Sequence, residues 1–100
     1  MPQVTIGNTT VDYTEIRPAS GGPGPRGIKV WIKGVQGSNY TYQPITPNPH
    51  NNPAYNKKKG WPVFYNDAAD ALAQYYNTNG NFPSAGVITF SFGGVIYTIG

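Results

Sequence analysis

Cations and aromatic rings interleave twice in this chain, at Lys57-Lys58-Lys59-Gly60-Trp61 and at Lys29-Val30-Trp31-Ile32-Lys33. Lysines neutralise phosphates and aromatic rings stack on bases, so the pattern is one that single-stranded nucleic-acid binders use. In a strand, Lys29, Trp31 and Lys33 would share one face, and Phe64 and Tyr65 follow soon after Trp61. Against that reading, the net charge is only +3 and the remainder is rich in Tyr, Asn and Pro. A solvated lysine run beside a Trp that anchors its own loop explains the same residues. Nucleic-acid binding through Lys57, Lys58, Lys59, Trp61, Lys29 and Lys33 is therefore the alternative function.

Tyrosines set among amides and prolines point elsewhere. Asn39-Tyr40-Thr41-Tyr42-Gln43 and the neighbourhood of Tyr55 combine broad aromatic contact area with adaptable hydrogen-bonding side chains. Such surfaces serve as protein interfaces or as sugar platforms. The expected protein interface is Trp31, Tyr40, Tyr42, Tyr55 and Trp61, with a carbohydrate-binding module as a further alternative.

Catalytic and metal-binding patterns are weak by comparison. A metal centre needs several His, Cys, Asp or Glu ligands, and here His50 stands alone in a Pro/Asn loop in a chain without Cys. Of the four acidic residues, Asp67 and Asp70 read as helix-start residues, and Asp12 and Glu15 fall on opposite faces of an extended segment. Ser20, Ser38, Ser84 and Ser91 lack a nucleophile-elbow context. The glycines of Gly21-Gly22-Pro23-Gly24-Pro25-Arg26-Gly27 are interrupted by prolines that remove backbone donors, and no Lys-Ser/Thr pair follows them. The expectation is a protein that is not an enzyme, with no catalytic residue, metal or cofactor.

The elements that must position these side chains follow from composition. Of 100 residues, 38% are hydrophobic and 11% charged, the latter less than half the usual fraction of about 25%. Gly (13), Pro (10) and Asn (10) are abundant, and Leu72 is the only leucine, which excludes a helical bundle. Eight Tyr, four Phe and two Trp argue against simple disorder. Without Cys no disulfide can order the loops, no apolar run reaches membrane-spanning length, and Met1-Pro2-Gln3-Val4 does not open a secretory signal.

Alternation around Gly93-Gly94 predicts a hairpin over residues 87–99 that pairs Phe92 with Val95, Phe90 with Tyr97 and Ile88 with Ile99. A second hairpin opens the chain around Gly7-Asn8, with its outgoing strand running on toward Ile16, and Ile28–Lys33 and 39–43 are further strands. One helix is expected at about 67–77, capped by Asn66 or Asp67 and closed by Asn79-Gly80, with Tyr65, Ala68, Ala69, Leu72 and Tyr76 as its packing stripe. Two Gly/Pro/Asn-rich arms, 18–27 and 43–62, lack regular structure. The fold class is α+β, mainly β: a single domain over 1–100, a small antiparallel sheet or sandwich built from hairpins with one short helix.

In these features, namely absent Cys, the two arms, hairpins near each end and one short helix, the chain resembles the small accessory proteins of tailed-phage virions, especially head decoration or cement proteins. The resemblance implies a β-rich clip seated on capsid subunits, often in several copies; tail and fibre accessory proteins share the style. The expected function is a non-enzymatic structural protein of the virion that binds protein subunits of a large assembly as a homo-oligomer, without membrane contact. On this reading the arms lie across neighbours, and deleting residues 44–59 leaves the fold intact while abolishing attachment.

Overall fold

The computed structural model describes residues 2–17, 25–35, 37–49, 52 and 60–100. Its elements are β1 (Gln3–Ile6), β2 (Thr9–Ile16), β3 (Gly27–Ile32), β4 (Tyr40–Tyr42), β5 (Ile45–Thr46), α1 (Gly60–Asn79), β6 (Thr89–Phe92) and β7 (Val95–Ile99). The strands form two antiparallel sheets, one in the order β1-β2-β3-β4 and the other in the order β5-β7-β6. The fold is α+β and mainly β.

Local turn chemistry explains both hairpins. Gly93 (φ 59°) and Gly94 (φ 81°) both occupy the left-handed region, as a type I′ turn requires. The resulting register pairs Phe92 with Val95, Ser91 with Ile96, Phe90 with Tyr97 and Thr89 with Thr98, and the Ile99 amide donates to the Ile88 carbonyl at 2.9 Å. Phe90, Phe92, Tyr97 and Ile99 are buried, whereas Ile96 on the opposite face is exposed. In the first hairpin Gly7 alone has positive φ, which fits a type II′ turn, and Ile6 pairs with Thr9.

The helix is longer than the predicted 67–77 segment, beginning at Gly60 and ending at Asn79. Pro62 does not bar its start, because a first-turn residue has no intrahelical acceptor for the N–H that proline lacks. Asn66 and Asp67 consequently lie inside the helix and do not cap it; Asn66 Oδ1 instead accepts the Tyr13 hydroxyl at 3.3 Å. Of the expected stripe, Tyr65, Ala68, Ala69 and Leu72 are buried and Phe64 and Ala73 join them, while Tyr76 is half-buried. At the other end Gly80 (φ 79°) donates its amide to the Tyr76 carbonyl at 2.8 Å, closing the helix where Asn79-Gly80 was expected to.

That stripe packs against β1, β2 and β3 on one side and β6 on the other. Phe64 anchors the helix to the second sheet, with the rings of Phe90, Phe92 and Tyr97 centred 5.3, 5.4 and 5.3 Å from its own.

The second arm also differs from its expected form. Ile45 is buried in β5 and pairs with Ile99, and its amide donates to the Arg26 carbonyl at 2.7 Å, tying the two sheets together. Farther along, Asn52 is buried, and its Nδ2 donates to the Phe92 carbonyl at 2.8 Å and to the Tyr97 hydroxyl at 2.9 Å. Residues 44–59 are therefore not dispensable for folding: they supply a strand and a buried polar clasp. From the first arm, residues 18–24 lie outside the described ones, while Arg26 is buried and Gly27 begins β3. A Cβ on Gly27 would run into the Tyr42 carbonyl oxygen, and backbone cannot yield there.

Two stability changes follow. Asn52→Ala strands a buried carbonyl and a buried hydroxyl and lowers unfolding free energy by about 1–3 kcal/mol in urea titrations. Gly27→Ala forces β3 away from β4 and costs more than about 1 kcal/mol in the same measurement.

Candidate functional site

Strand alternation sorts the four-stranded sheet into a face against α1, with Val4, Val11, Tyr13, Ile28 and Val30 buried, and an outer face. Register places Gln3, Asp12 and Trp31 in one row of that outer face and Thr14, Lys29 and Thr41 in the next. On the other flank, Thr5 and Thr10 share a hydroxyl contact of 3.1 Å, and the Lys33 amide donates to the Thr10 carbonyl at 3.1 Å. Lys29 and Lys33 are exposed and Trp31 between them is half-buried.

Beside Trp31 lies an open surface groove of about 680 Å³ lined by Lys29, Trp31, Val35, Ser38 and Asn39 among others. A tight turn borders it. Val35 donates its amide to the Ile32 carbonyl at 3.1 Å and Gly34 has φ 81°, the geometry of a type II turn with glycine at its third position. Ser38 then clamps it, its Oγ accepting from the Ile32 amide at 2.9 Å and donating to the Val35 carbonyl at 2.8 Å. Gly34 and Gly37 both border the groove, and a Cβ on either would meet nothing within 4 Å. Among the described residues, Ile32, Val35 and Ser38 are thus held together by backbone and one hydroxyl.

Asp12 gives this face its unusual electrostatics. It is 8% exposed, directly across from Trp31, and its Oδ1 is buried without a hydrogen-bond partner. Its charge lies on the same face as the two lysines, so the field around the indole is mixed in sign.

The other expected site residues are dispersed. Tyr42 is 1% exposed and donates its hydroxyl to the Pro83 carbonyl at 2.7 Å, so it is a core residue and no platform for a partner. Tyr40, exposed at the sheet edge, stacks on it with centroids 4.5 Å apart. Trp61 is half-buried: its ring lies under the Arg26 guanidinium, 3.6 Å away, and packs on Phe64 and Tyr65. Tyr55, Lys57, Lys58, Lys59 and His50 lie outside the described residues. Lys29, Trp31 and Lys33 are accordingly the expected residues that the fold brings together. Ser38 joins Trp31 and Lys29 at the groove without having been anticipated, and Asp12 faces Trp31 across the ladder, although Gly34-Val35-Gln36-Gly37-Ser38 carries a turn signal.

Arg26 was also missed. It is 3% exposed, with Nε and Nη1 buried and unpartnered, and nothing in its Gly/Pro setting marks it as a core residue. Among the described residues no group of three or more His, Cys, Asp or Glu comes together, and no helix is long and apolar enough to cross a membrane.

Compared with known protein families, curated proteins and solved structures, the chain matches none.

Burial of tyrosine hydroxyls carries a pH signature. Burial raises the pKa of Tyr42, with smaller contributions from Tyr40 and Tyr75. It also raises that of Tyr65, where Arg26 partly opposes the shift, and that of Tyr13, where Glu15 and Asp67 add to it. Each folded pKa lies above the ordinary value of about 10, so the folded chain binds more protons than the unfolded one once pH exceeds that value. The stability these groups contribute is whole below about pH 10 and is lost as pH rises toward the folded pKa values. Unfolding titrations across this range should show that decline. Tyr42→Phe should make it shallower while lowering stability at neutral pH, because the Pro83 carbonyl loses its donor.

Proposed function

We propose that this chain is a non-enzymatic structural protein that binds and stabilises a larger protein assembly, in the capsid decoration or cement role of the tailed-phage accessory proteins it resembles. In this role it resides on the virion, assembled in the host cytoplasm, with copies of itself bound to capsid subunits.

One observation carries the reading: among the described residues, no strand pairs with the outer edge of β6, and the hairpin itself has no charged side chain to guard it. All eleven charged side chains fall within residues 1–70, so β6, β7 and the turns around them contain none, and β5 is uncharged as well. Strand β6 is an edge of its sheet. Its hairpin pairing turns the backbone groups of Thr89 and Ser91 away from β7. Natural sheets protect such an edge with charges, prolines or a covering segment, because a bare one pairs with other chains. Val87, Val95 and Ile96 are exposed on the same hairpin, with Ile96 at 61%. Charge depletion together with exposed apolar groups is the composition of a protein interface at its centre. A surface that would aggregate if left open is stable when a partner subunit adds a strand to it.

Ser91→Pro removes the outward amide at this edge, where proline is tolerated within the strand itself. The variant should retain the circular dichroism and unfolding midpoint of the parent to within about 1 kcal/mol yet lose co-sedimentation with capsid shells. Undiminished co-sedimentation by a folded Ser91→Pro variant would overturn the reading.

A further inference from the structure

Strand β3 is an inner strand of the four-stranded sheet, and its buried residues Ile28 and Val30 face the helix side. Trp31 therefore stands on the face turned away from α1, where Lys29, Lys33 and Thr41 are exposed. Residues two apart on a strand share a face at about 6.6 Å. The Lys33 amide still donates to the Thr10 carbonyl at 3.1 Å, so this spacing holds just past the end of β3. The order is then cation, ring, cation, with one lysine on each side of the indole.

The open groove beside the ring adds to that pattern. Among the described residues lining it, Lys29 is the only ionisable one, and the exposed Asn39 supplies an amide. Gly34 and Gly37 line it without side chains, which leaves room beside the indole for a second planar ring. Asp12 is buried and does not line the groove, so it lowers the positive field there without offering a contact. An acidic peptide would answer the lysines and leave the indole face unused. A nucleotide strand uses both, because each base lies between two backbone phosphates: with the base stacked on the ring, one phosphate falls toward each lysine. An open groove also suits a chain that passes through it.

We infer that the outer face of β3 binds single-stranded nucleic acid, with one base stacked on Trp31, Lys29 and Lys33 neutralising the phosphates on either side, and Asn39 as the hydrogen-bonding amide of the groove. The patch is smaller than the one expected from sequence. Trp61 has no part in it, since its ring lies under the Arg26 guanidinium, and Lys57, Lys58 and Lys59 lie outside the described residues. The inference does not rest on the assembly role, which uses β6 on the other sheet.

The test titrates the full chain with a short thymidine oligonucleotide and, separately, with a glutamate oligopeptide of equal charge, following the indole N–H signals of Trp31 and Trp61 by NMR. The oligonucleotide should shift the Trp31 signal saturably and leave that of Trp61 in place, and the peptide should shift neither. Trp31→Ala should weaken binding at least about fivefold, and Trp31→Phe should restore part of the loss. Lys29→Ala and Lys33→Ala, which truncate exposed side chains, should each make the log–log dependence of affinity on salt shallower by about 0.7, with the unfolding midpoint unchanged. Absence of a Trp31 shift would sink the proposal. So would an equal shift with the glutamate peptide, which would identify a site for acidic proteins, or a salt dependence that neither lysine variant alters.

Discussion

The packing of the Phe64 ring is the contact on which the rest of this structure depends. Two small sheets, one of four strands and one of three, share no continuous ladder. Neither could bury a face alone, since isolated sheets of this size are marginal without a covering layer. Helix α1 is that layer for both. Phe64 holds it to the three-stranded sheet, edge-on to Phe92 and Tyr97 as well as to its helix neighbours Tyr65 and Trp61, with centroids 5.3–5.5 Å apart. Such aromatic pairs each contribute about 0.5–1.5 kcal/mol beyond area burial. Ala68, Ala69 and Ala73 keep the same helix face low, so that the sheets can approach its backbone.

Around this hub, buried polar groups decide which loops can be ordered. Asn52 satisfies the Phe92 carbonyl and the Tyr97 hydroxyl, Tyr42 satisfies the Pro83 carbonyl, and Tyr65 satisfies the Ile16 carbonyl at 3.1 Å. The first two pin stretches without regular structure to the core, and the third ties the end of β2 to α1, each filling a hydrogen-bonding need that burial creates. Arg26 is the exception. Its charge is buried with two donors unpartnered, a costly placement that stacking on Trp61 offsets only in part. The described acidic residues do not relieve it: the ion pair Arg17–Glu15, at 3.4 Å, engages the neighbouring arginine instead.

Charge is distributed along the chain in a way that separates two surfaces. The outer face of β3 has Lys29 and Lys33 flanking Trp31, with Asp12 across the ladder. The hairpin of β6 and β7 has no charge and shows Val95 and Ile96 to solvent. An uncharged strand edge differs in kind from a mixed polar face, and the two lie on different sheets.

What the amino-acid order determined by itself was local. Gly93-Gly94 and Gly7-Asn8 specify tight turns, and alternation on either side then specifies register, because a slip by one residue would expose Phe90, Phe92, Tyr97 and Ile99. The helix stripe and its glycine stop were equally legible, since both are properties of neighbouring residues. The helix start was not: Pro62 and the acceptable caps Asn66 and Asp67 point to a later beginning, and only the packing of Phe64 against Phe90, Phe92 and Tyr97 extends α1 back to Gly60. Tyr40 and Tyr42 look alike in sequence, yet one is exposed and the other buried, because β4 is an edge strand whose far end closes over the core. Ser38 and Asn52 gained their roles from partners 3 to 45 residues away, as the Ser38–Val35 and Asn52–Tyr97 bonds mark the two extremes. Turn chemistry and periodicity reside in consecutive residues. Burial, and the polar partners that burial demands, exist only once distant segments have met.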